Sequence, residues 1–337
     1  MSEPLISPDA NERIGAYLAS TPFGLRRPRV VPLTGDASDR RYFRVFLEGD
    51  DSLVLALHTG PIAFDTMPFA TMAALLERMA VPAPRVLGHS DSLGIIALQD
   101  LGDVTLQAQI GSDTVGSHES LYREAVALIH RLQVRGAACV TDSVPYTLAF
   151  DVEKLTFELD FFTTHFVAGY RGASLTASTH QALSDEWAQI THELSAEPRV
   201  VCHRDYHSRN IMVFGDALYV IDFQDARLGP DTYDLASLLR DSYVDITDRE
   251  RDALITQFMQ LSGVGDAGEF RRRFDLMSVQ RNLKALGTFG FQASARGNSG
   301  YVQYMPRTLR AVRDNLVKYD RFTRLHALLA AHIEELR

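Results

Sequence analysis

The sequence predicts an α+β fold of two lobes, a small β-rich N-terminal lobe and a larger helical C-terminal lobe. Three observations predict it. Short apolar runs bounded by turn residues crowd the first hundred positions. From Thr105 onward, apolar residues recur mostly at helical spacing. Within that helical half, the stretch VVCHRDYHSRNIMVFGDALYVIDFQD, Val200 to Asp225, interrupts the pattern with two strands and a cluster of polar residues. A chain of 337 residues can bury the core of two such lobes. The expected division is 1–98 for the first lobe, 99–103 for a hinge and 104–337 for the second.

In chain order, Asn11 to Ser20 reads as a short helix and Arg29 to Leu33 as a strand. Gly35 to Asp39 is a turn. Arg41 to Leu47 and Ser52 to His58 are two further strands, with Glu48-Gly49-Asp50-Asp51 as the hairpin turn between them. Phe69, Met72, Leu75, Leu76 and Met79 form a helical stripe, ended by Val81-Pro82-Ala83-Pro84. Val86-Leu87 and Gly94 to Leu98 follow as strands, and Gln99 to Gly102 as the hinge. Helices are expected at Leu121 to Leu132, Asp151 to Tyr170 with Asp151 as its cap, and Gln181 to Ser195. Thr247 and Glu250 form a capping box that opens a helix running to Leu261. Phe270, Phe274 and Met277 continue the pattern, and Leu309 to Leu336 holds one or two terminal helices. Gly263-x-Gly265-x-x-Gly268 matches a dinucleotide-binding pattern, but the residues before it read as helix where that motif needs a strand.

Hydrophobic residues make up 46% and charged residues 23%, the balance of a globular protein. The net charge of −9 argues against nucleic acid and anionic membrane as main partners. Two cysteines are too few for a disulfide framework, and Cys202 reads as a small apolar residue of a buried strand rather than a nucleophile. The first residues lack the basic and apolar regions of a signal peptide, and no apolar run reaches 18 residues. The expectation is a cytoplasmic monomer.

The Val200–Asp225 stretch carries the chemistry. Its polar residues follow H-x-D-x-x-x-x-N, a hairpin, then D-F: His203, Asp205, Asn210, Asp222, Phe223. Phosphoryl transfer needs a carboxylate to accept the proton of the attacking hydroxyl, and Asp205 fits. It also needs oxygen donors for Mg²⁺ on the phosphates, and Asn210 and Asp222 fit. Arg209, inside the same loop, is a second candidate catalytic residue. The motif resembles that of the aminoglycoside phosphotransferase-type small-molecule kinases, relatives of the protein kinases. The resemblance implies a kinase-like fold with ATP and Mg²⁺ as cofactors. Here D-F-Q replaces the D-F-G of protein kinases.

On the nucleotide side, the turn at Gly35 to Asp39 can offer backbone N–H groups to phosphate, with Ser38 as a side-chain donor. Gln99 and Leu101 in the hinge are placed where adenine bonds to backbone. The third strand departs from the pattern: Ala56 stands where kinases carry a phosphate-binding Lys. Arg40, Arg41 and Arg44 are nearby. Arg41 and Arg44 lie three apart and face opposite sides of a strand, so one of them can serve, and Arg44 is the choice.

On the acceptor side, the candidate contacts are Asp151, Glu158, His207, Tyr233 and Arg307. Asp234 is expected to cap the following helix and brace the catalytic loop. GDAS-RRYFRV, HRDYHSRN, VIDFQDA, GP-TYDLASLLRD and QRNLKALG-F together resemble a narrower group, from about Gly35 to Arg307. These are the N-acetylmuramate/N-acetylglucosamine anomeric kinases of bacterial cell-wall recycling. The resemblance implies a small-molecule sugar partner phosphorylated at its C1 hydroxyl. His58-Thr59-Gly60 departs from the proline-rich segment expected there. A carboxylate-bearing sugar needs a cation, for which Arg209, Arg281, Lys284 and Arg307 are candidates. A cationic acceptor, such as an aminoglycoside, choline or another amine, would instead use Asp151, Glu158, Asp160 and Asp231. The absent Lys leaves a third reading, a pseudokinase scaffold that binds nucleotide.

Overall fold

The computed structural model describes residues 8–33, 40–112 and 118–337. The chain forms two compact units, residues 1–104 with 212–224, and 105–211 with 225–337. The linear division expected from the sequence keeps 104–337 together. The structure groups the hairpin 212–224 with the first unit, and the reason is local. Val213 N–H donates to the Val104 carbonyl (2.8 Å) and Val220 N–H to the Pro82 carbonyl (2.9 Å). The Phe223 ring stacks on Phe69 at 5.1 Å.

In the first unit, strands β1 (Arg29–Leu33), β2 (Arg41–Phe46), β3 (Ser52–Leu57), β4 (Val86–Ser90) and β5 (Ile95–Gln99) form one antiparallel sheet in the order β1-β2-β3-β5-β4. Side chains alternate across a strand, so the register sorts them by face. Phe43, Val45, Leu53, Leu55, Leu57, Ile95 and Ala97 turn to one face. There they bury against Ala10, Ile14, Tyr17 and Leu18 of helix α1 (Pro8–Ala19). Tyr42, Arg44, Val54, Ala56, Ile96 and Leu98 share the other face. The Phe69–Met79 stripe forms α2 (Pro68–Arg78), with its apolar residues buried as the spacing predicts. Ser38 and the rest of 34–39 lie outside the described residues.

In the second unit, Leu121–Leu132 lies within α4 (His118–Ala138), which follows α3 (Leu106–Ser112). Asp151 caps α5 (Val152–Phe162), accepting from Lys154 N–H at 2.8 Å. The helix continues as a π-helical stretch over Thr163–Tyr170. Next comes α6 (Ala177–Ser195), then β6 (Arg199–Cys202). Strands β7 (Ile211–Phe214) and β8 (Ala217–Val220) pair about Gly215. One strand is not legible in the sequence: β9 (Arg227–Pro230), RLGP, pairs antiparallel with β6. Its Gly229 is required, because a Cβ there would stand 2.5 Å from the Phe150 ring and 3.1 Å from the Cys202 sulfur.

Helix α7 (Tyr233–Leu239) follows, then α8 (Asp248–Ser262) with the Thr247/Glu250 capping box formed and Gly263 as its left-handed C-cap. The G-x-G-x-x-G pattern therefore spans the link between two helices, with no strand before it. The long helix α9 (Ala267–Ser294), α10 (Met305–Leu316) and α11 (Thr323–Ala330) complete the unit. Among the described residues, no helix is long and apolar enough to cross a membrane.

Helix α9 packs on α5 and the π-helical stretch through two glycines. A Cβ at Gly287 would stand 2.9 Å from the Phe162 backbone, and one at Gly290 2.5 Å from the His165 carbonyl oxygen. Both contacts are with backbone, which cannot swing away. Gly290→Ala is therefore expected to cost roughly 1–3 kcal/mol of unfolding free energy, the usual penalty for overpacking. Urea denaturation checks this; a variant as stable as the parent would mean that α9 shifts freely.

Candidate active site

The β6–β9 pair delivers the catalytic loop. β6 ends at Cys202, a buried thiol whose pKa burial pushes well above its ordinary value, and carries the chain into His203-Arg204-Asp205. Arg204 sits at φ 83°, a backbone conformation that side chains rarely adopt, so the surroundings must hold it. Asp234, inside α7, does so as the sequence predicts; the helix cap also expected of it is not formed, because Thr232 holds the N-cap position and the Asp234 carboxylate is spent on the loop. Its Oδ2 accepts from His203 N–H at 2.6 Å and its Oδ1 from Arg204 N–H at 3.1 Å. Burial raises the Asp234 pKa to about 7, against those two hydrogen bonds. Asp241 repeats the device further along, accepting from Ser208 N–H at 2.9 Å and Tyr243 N–H at 2.8 Å. The buried Tyr206 hydroxyl donates to the Ala125 carbonyl at 2.9 Å. Sequence reasoning does not single out Asp241 or Tyr206.

Asp205 sits on this braced loop and lines a recess of the second unit with His207, Asp241, Tyr243, Arg281 and Lys284. Lys284 of α9 donates to Asp205 Oδ1 at 2.9 Å, Arg281 Nη1 stands at 3.9 Å, and Arg204 Nε lies 3.7 Å from Oδ2. Burial alone would raise the Asp205 pKa. The three cations, Lys284 foremost, outweigh it and hold the carboxylate well below its ordinary range. The same burial, reinforced by the like charge of Arg281, lowers Lys284 to about 8, although Asp205 and Glu158 oppose it. His207 is neutral, since burial brings its pKa down to about 3. Its ring meets Tyr243 edge-on at 5.1 Å, and the Arg209 guanidinium lies 4.9 Å over that same tyrosine. Tyr243 in turn packs on Phe289 and Tyr304, which makes an aromatic wall.

Asn210 Nδ2 donates to the Asp205 carbonyl at 3.0 Å, which fixes the amide with its oxygen turned away. In the first unit, Asp222 is at φ 62°, its Oδ1 accepting from Gln224 at 2.8 Å. An amide oxygen and a carboxylate oxygen are the hard donors that suit Mg²⁺, which takes one or two carboxylates and leaves the remaining positions to water and phosphate. The described residues contain no cluster of three or more His, Cys, Asp or Glu for a metal.

Other expected contacts fall elsewhere. Asp151 is occupied as the α5 N-cap. Glu158 is buried against Gln280 (3.0 Å) and Lys154 (3.4 Å). Tyr233 is fully buried, stacked on Phe150 at 4.0 Å with Arg281 lying 5.1 Å over its ring. Arg307 pairs with Asp245 at 2.9 Å and donates to the Ser242 carbonyl at 3.1 Å. None of these four lines the recess. In this structure Asp151 serves as a helix cap, Glu158 and Tyr233 as supports beneath the cation pair, and Arg307 as a brace behind the wall. Arg44 is engaged as well. Its guanidinium is held by Asp100 (Nε to Oδ2 2.7 Å) and Asp103 (2.8 and 2.9 Å), with Ser52 also donating to Asp100 at 2.7 Å. A cation satisfied by two carboxylates is not available for phosphate. In the hinge, Gln99 N–H donates to the Arg85 carbonyl at 2.8 Å and Leu101 is buried.

The sequence matches the model of the phosphotransferase enzyme family over residues 29–273. The N-acetylmuramate/N-acetylglucosamine kinase of Neisseria meningitidis serogroup B is 31% identical over 301 residues, 87% of each chain. The protein of that name from Pseudomonas aeruginosa is 30% identical over 308 residues, 90% of this chain and 88% of its own. Among solved structures, a choline/ethanolamine kinase family protein from Mesorhizobium loti superposes with a TM-score of 0.62 at 17% identity, covering 95% of this chain and 99% of that one. The gentamicin–APH(2")-IIa complex gives 0.61 at 13% identity, covering 94% and 99%. These structural likenesses establish the fold.

The Asp234 brace has a measurable consequence. Asp234→Ala leaves two loop N–H groups without their acceptor and should destabilise the fold by roughly 2–3 kcal/mol. Asp234→Asn, which keeps one carbonyl acceptor, should cost less. Chemical denaturation of the two variants checks the order; equal stability would show that the loop holds itself.

Proposed function

The chain belongs to the phosphotransferase enzyme family, and on that premise we propose that it uses ATP to phosphorylate the anomeric C1 hydroxyl of N-acetylmuramate, N-acetylglucosamine or both. The product, a sugar 1-phosphate, would feed cell-wall recycling in the cytoplasm. The names of the relatives at 30–31% identity point to this acceptor class. The observation that carries it is the charge of the recess. Arg281 and Lys284 stand in the wall beside Asp205. A fixed ammonium and guanidinium there repel a cationic acceptor and suit a neutral or carboxylate-bearing sugar.

In this reading the acceptor hydroxyl donates to Asp205. Its oxygen forms a bond to the γ-phosphorus, the bond from that phosphorus to the β-bridging oxygen breaks, and ADP leaves. The proton passes to Asp205. A carboxylate held so far below its ordinary range is a weak base, so its main work is orienting the hydroxyl in line. That is what a loose, dissociative transition state asks of a protein. Lys284 and Arg281 fix the carboxylate. Mg²⁺, with oxygen donors from Asn210 and Asp222, would neutralise charge on the phosphates.

One observation favours a second reading, a nucleotide-binding scaffold: Ala56 stands in the lysine slot. A panel of N-acetylmuramate, N-acetylglucosamine, choline, ethanolamine and an aminoglycoside, incubated with Mg²⁺-ATP and followed by ³¹P NMR, separates the readings. An anomeric phosphate on an amino sugar is expected. Transfer to an amine-bearing acceptor instead would overturn the choice of acceptor, and no transfer at all would favour the scaffold. Asp205→Asn should lower kcat by roughly 10²–10⁴-fold while leaving ATP affinity largely intact.

The buried lysine predicts a pH profile. Burial and then the like charge of Arg281 bring Lys284 down to about 8. As pH rises through that value it loses its proton, and Asp205 loses its nearest cation. Turnover should therefore decline on the alkaline side with an apparent pKa of about 8. Arg stays charged across this range, so Lys284→Arg should carry the plateau to higher pH. A limb that does not move would belong to another group.

A further inference from the structure

The face of the sheet that carries Ala56 holds a cation in another place. By the register, Tyr42 lies opposite Ala56, and Ala56 opposite Ile96. The last pair of β2 and β3 is Arg41 with Leu57, so continuing the ladder sets Arg40 opposite His58. Alternation then gives residues 40, 42 and 44 one face and residues 41, 43 and 45 the other. The second of these faces is closed by α1, against which Phe43 and Val45 are buried. Arg41 thus belongs to the wrong side. Arg44 has the right side but is occupied by Asp100 and Asp103.

Arg40 has the right side, and its charge is felt there. Burial raises the Tyr42 hydroxyl, the charge of Arg40 lowers it, and that of Asp222 raises it again. One hydroxyl thus lies within electrostatic reach of both Arg40 and the carboxylate expected to hold Mg²⁺. His58 is lowered by burial and, after that, by Arg40. We propose that Arg40 is the phosphate-binding cation of this chain, standing on the first strand of the hairpin in place of the lysine that Ala56 replaces on the second. The proposal rests on the ATP-dependent reading given above. An arginine suits the task, since its planar fork can hold two phosphate oxygens at once.

Calorimetric titration of Mg²⁺-ADP and of adenosine into the parent, Arg40→Ala, Arg40→Lys and Arg41→Ala tests it without relying on turnover. The parent should bind ADP more tightly than adenosine. Arg40→Ala should lose roughly tenfold to a hundredfold in ADP affinity, the worth of a charge-assisted contact, and keep its adenosine affinity. Arg40→Lys should recover most of the loss, and Arg41→Ala should match the parent. ADP affinity within twofold of the parent in Arg40→Ala would overturn the proposal. So would a loss of equal factor for ADP and adenosine, which would mark a structural role. A parent that does not prefer ADP to adenosine would overturn the ATP reading itself, and the proposal with it.

Discussion

The contact between Lys284 and Asp205, 2.9 Å long and 79 residues apart in sequence, is what the second unit is built to hold. Both side chains are partly buried in the recess wall, and Arg281 and Arg204 stand beside the same carboxylate, so several like charges are gathered at one point of the loop. The pair persists only where the backbone on both sides is fixed. On the Asp205 side the fixing comes from the β6–β9 ladder, from Asp234, which takes two N–H groups of the loop, and from Asp241, which takes one. On the Lys284 side it comes from α9, drawn against the backbone of α5 at Gly287 and of the π-helical stretch at Gly290, so that its cations reach the loop. Arg281 is fixed in its turn, with Ser237 Oγ accepting from its Nε at 2.7 Å and Tyr233 beneath its plane.

The sequence makes the first half of this contact legible and hides the second. Asp205 stands out because it and Asn210 follow a fixed spacing between two apolar runs, with Asp222 directly after the second, and both runs form strands. Capping residues are equally readable, as Thr247 with Glu250 shows, because a cap is a local arrangement. Lys284 is, in the sequence, only one of four cations able to face a sugar carboxylate. Nothing local distinguishes it, since the partner that defines it comes from another element. Arg44 shows the same limit from the other side. Alternation gives it a face, but Asp100 and Asp103, 56 and 59 residues onward, decide what it does there. β9 escapes sequence reasoning for a related reason: RLGP carries no strand pattern of its own, and the glycine is there because Phe150 and Cys202 leave no room for a side chain.

Polar residues near a motif attract functional readings, and burial sorts them. Glu158 and Tyr233 are both buried, and both serve the cations: Glu158 opposes the fall in the Lys284 pKa, and Tyr233 lies under Arg281. Asp151 caps a helix. Glu158 and Tyr233 keep Lys284 and Arg281 charged and in place, so their loss would be felt at Asp205 without their touching a ligand.

In the proposed mechanism, catalysis and selection share two side chains. The charge that lowers Asp205 is the charge that an acceptor meets on entering the recess, because Arg281 and Lys284 line it and pair with Asp205 at once. A kinase for polycationic acceptors needs carboxylates at that wall, and the same carboxylates would release Asp205 toward its ordinary pKa. Here Asp205 is pinned by cations, which, in the role proposed for it, weakens it as a proton acceptor and strengthens it as a fixed point for the hydroxyl. In a loose phosphoryl transfer that exchange costs little, since the nucleophile need not be fully deprotonated before the phosphorus–oxygen bond to the leaving group lengthens. The arrangement therefore favours neutral or anionic acceptors through the same two side chains that position the carboxylate, and one cannot be altered without the other.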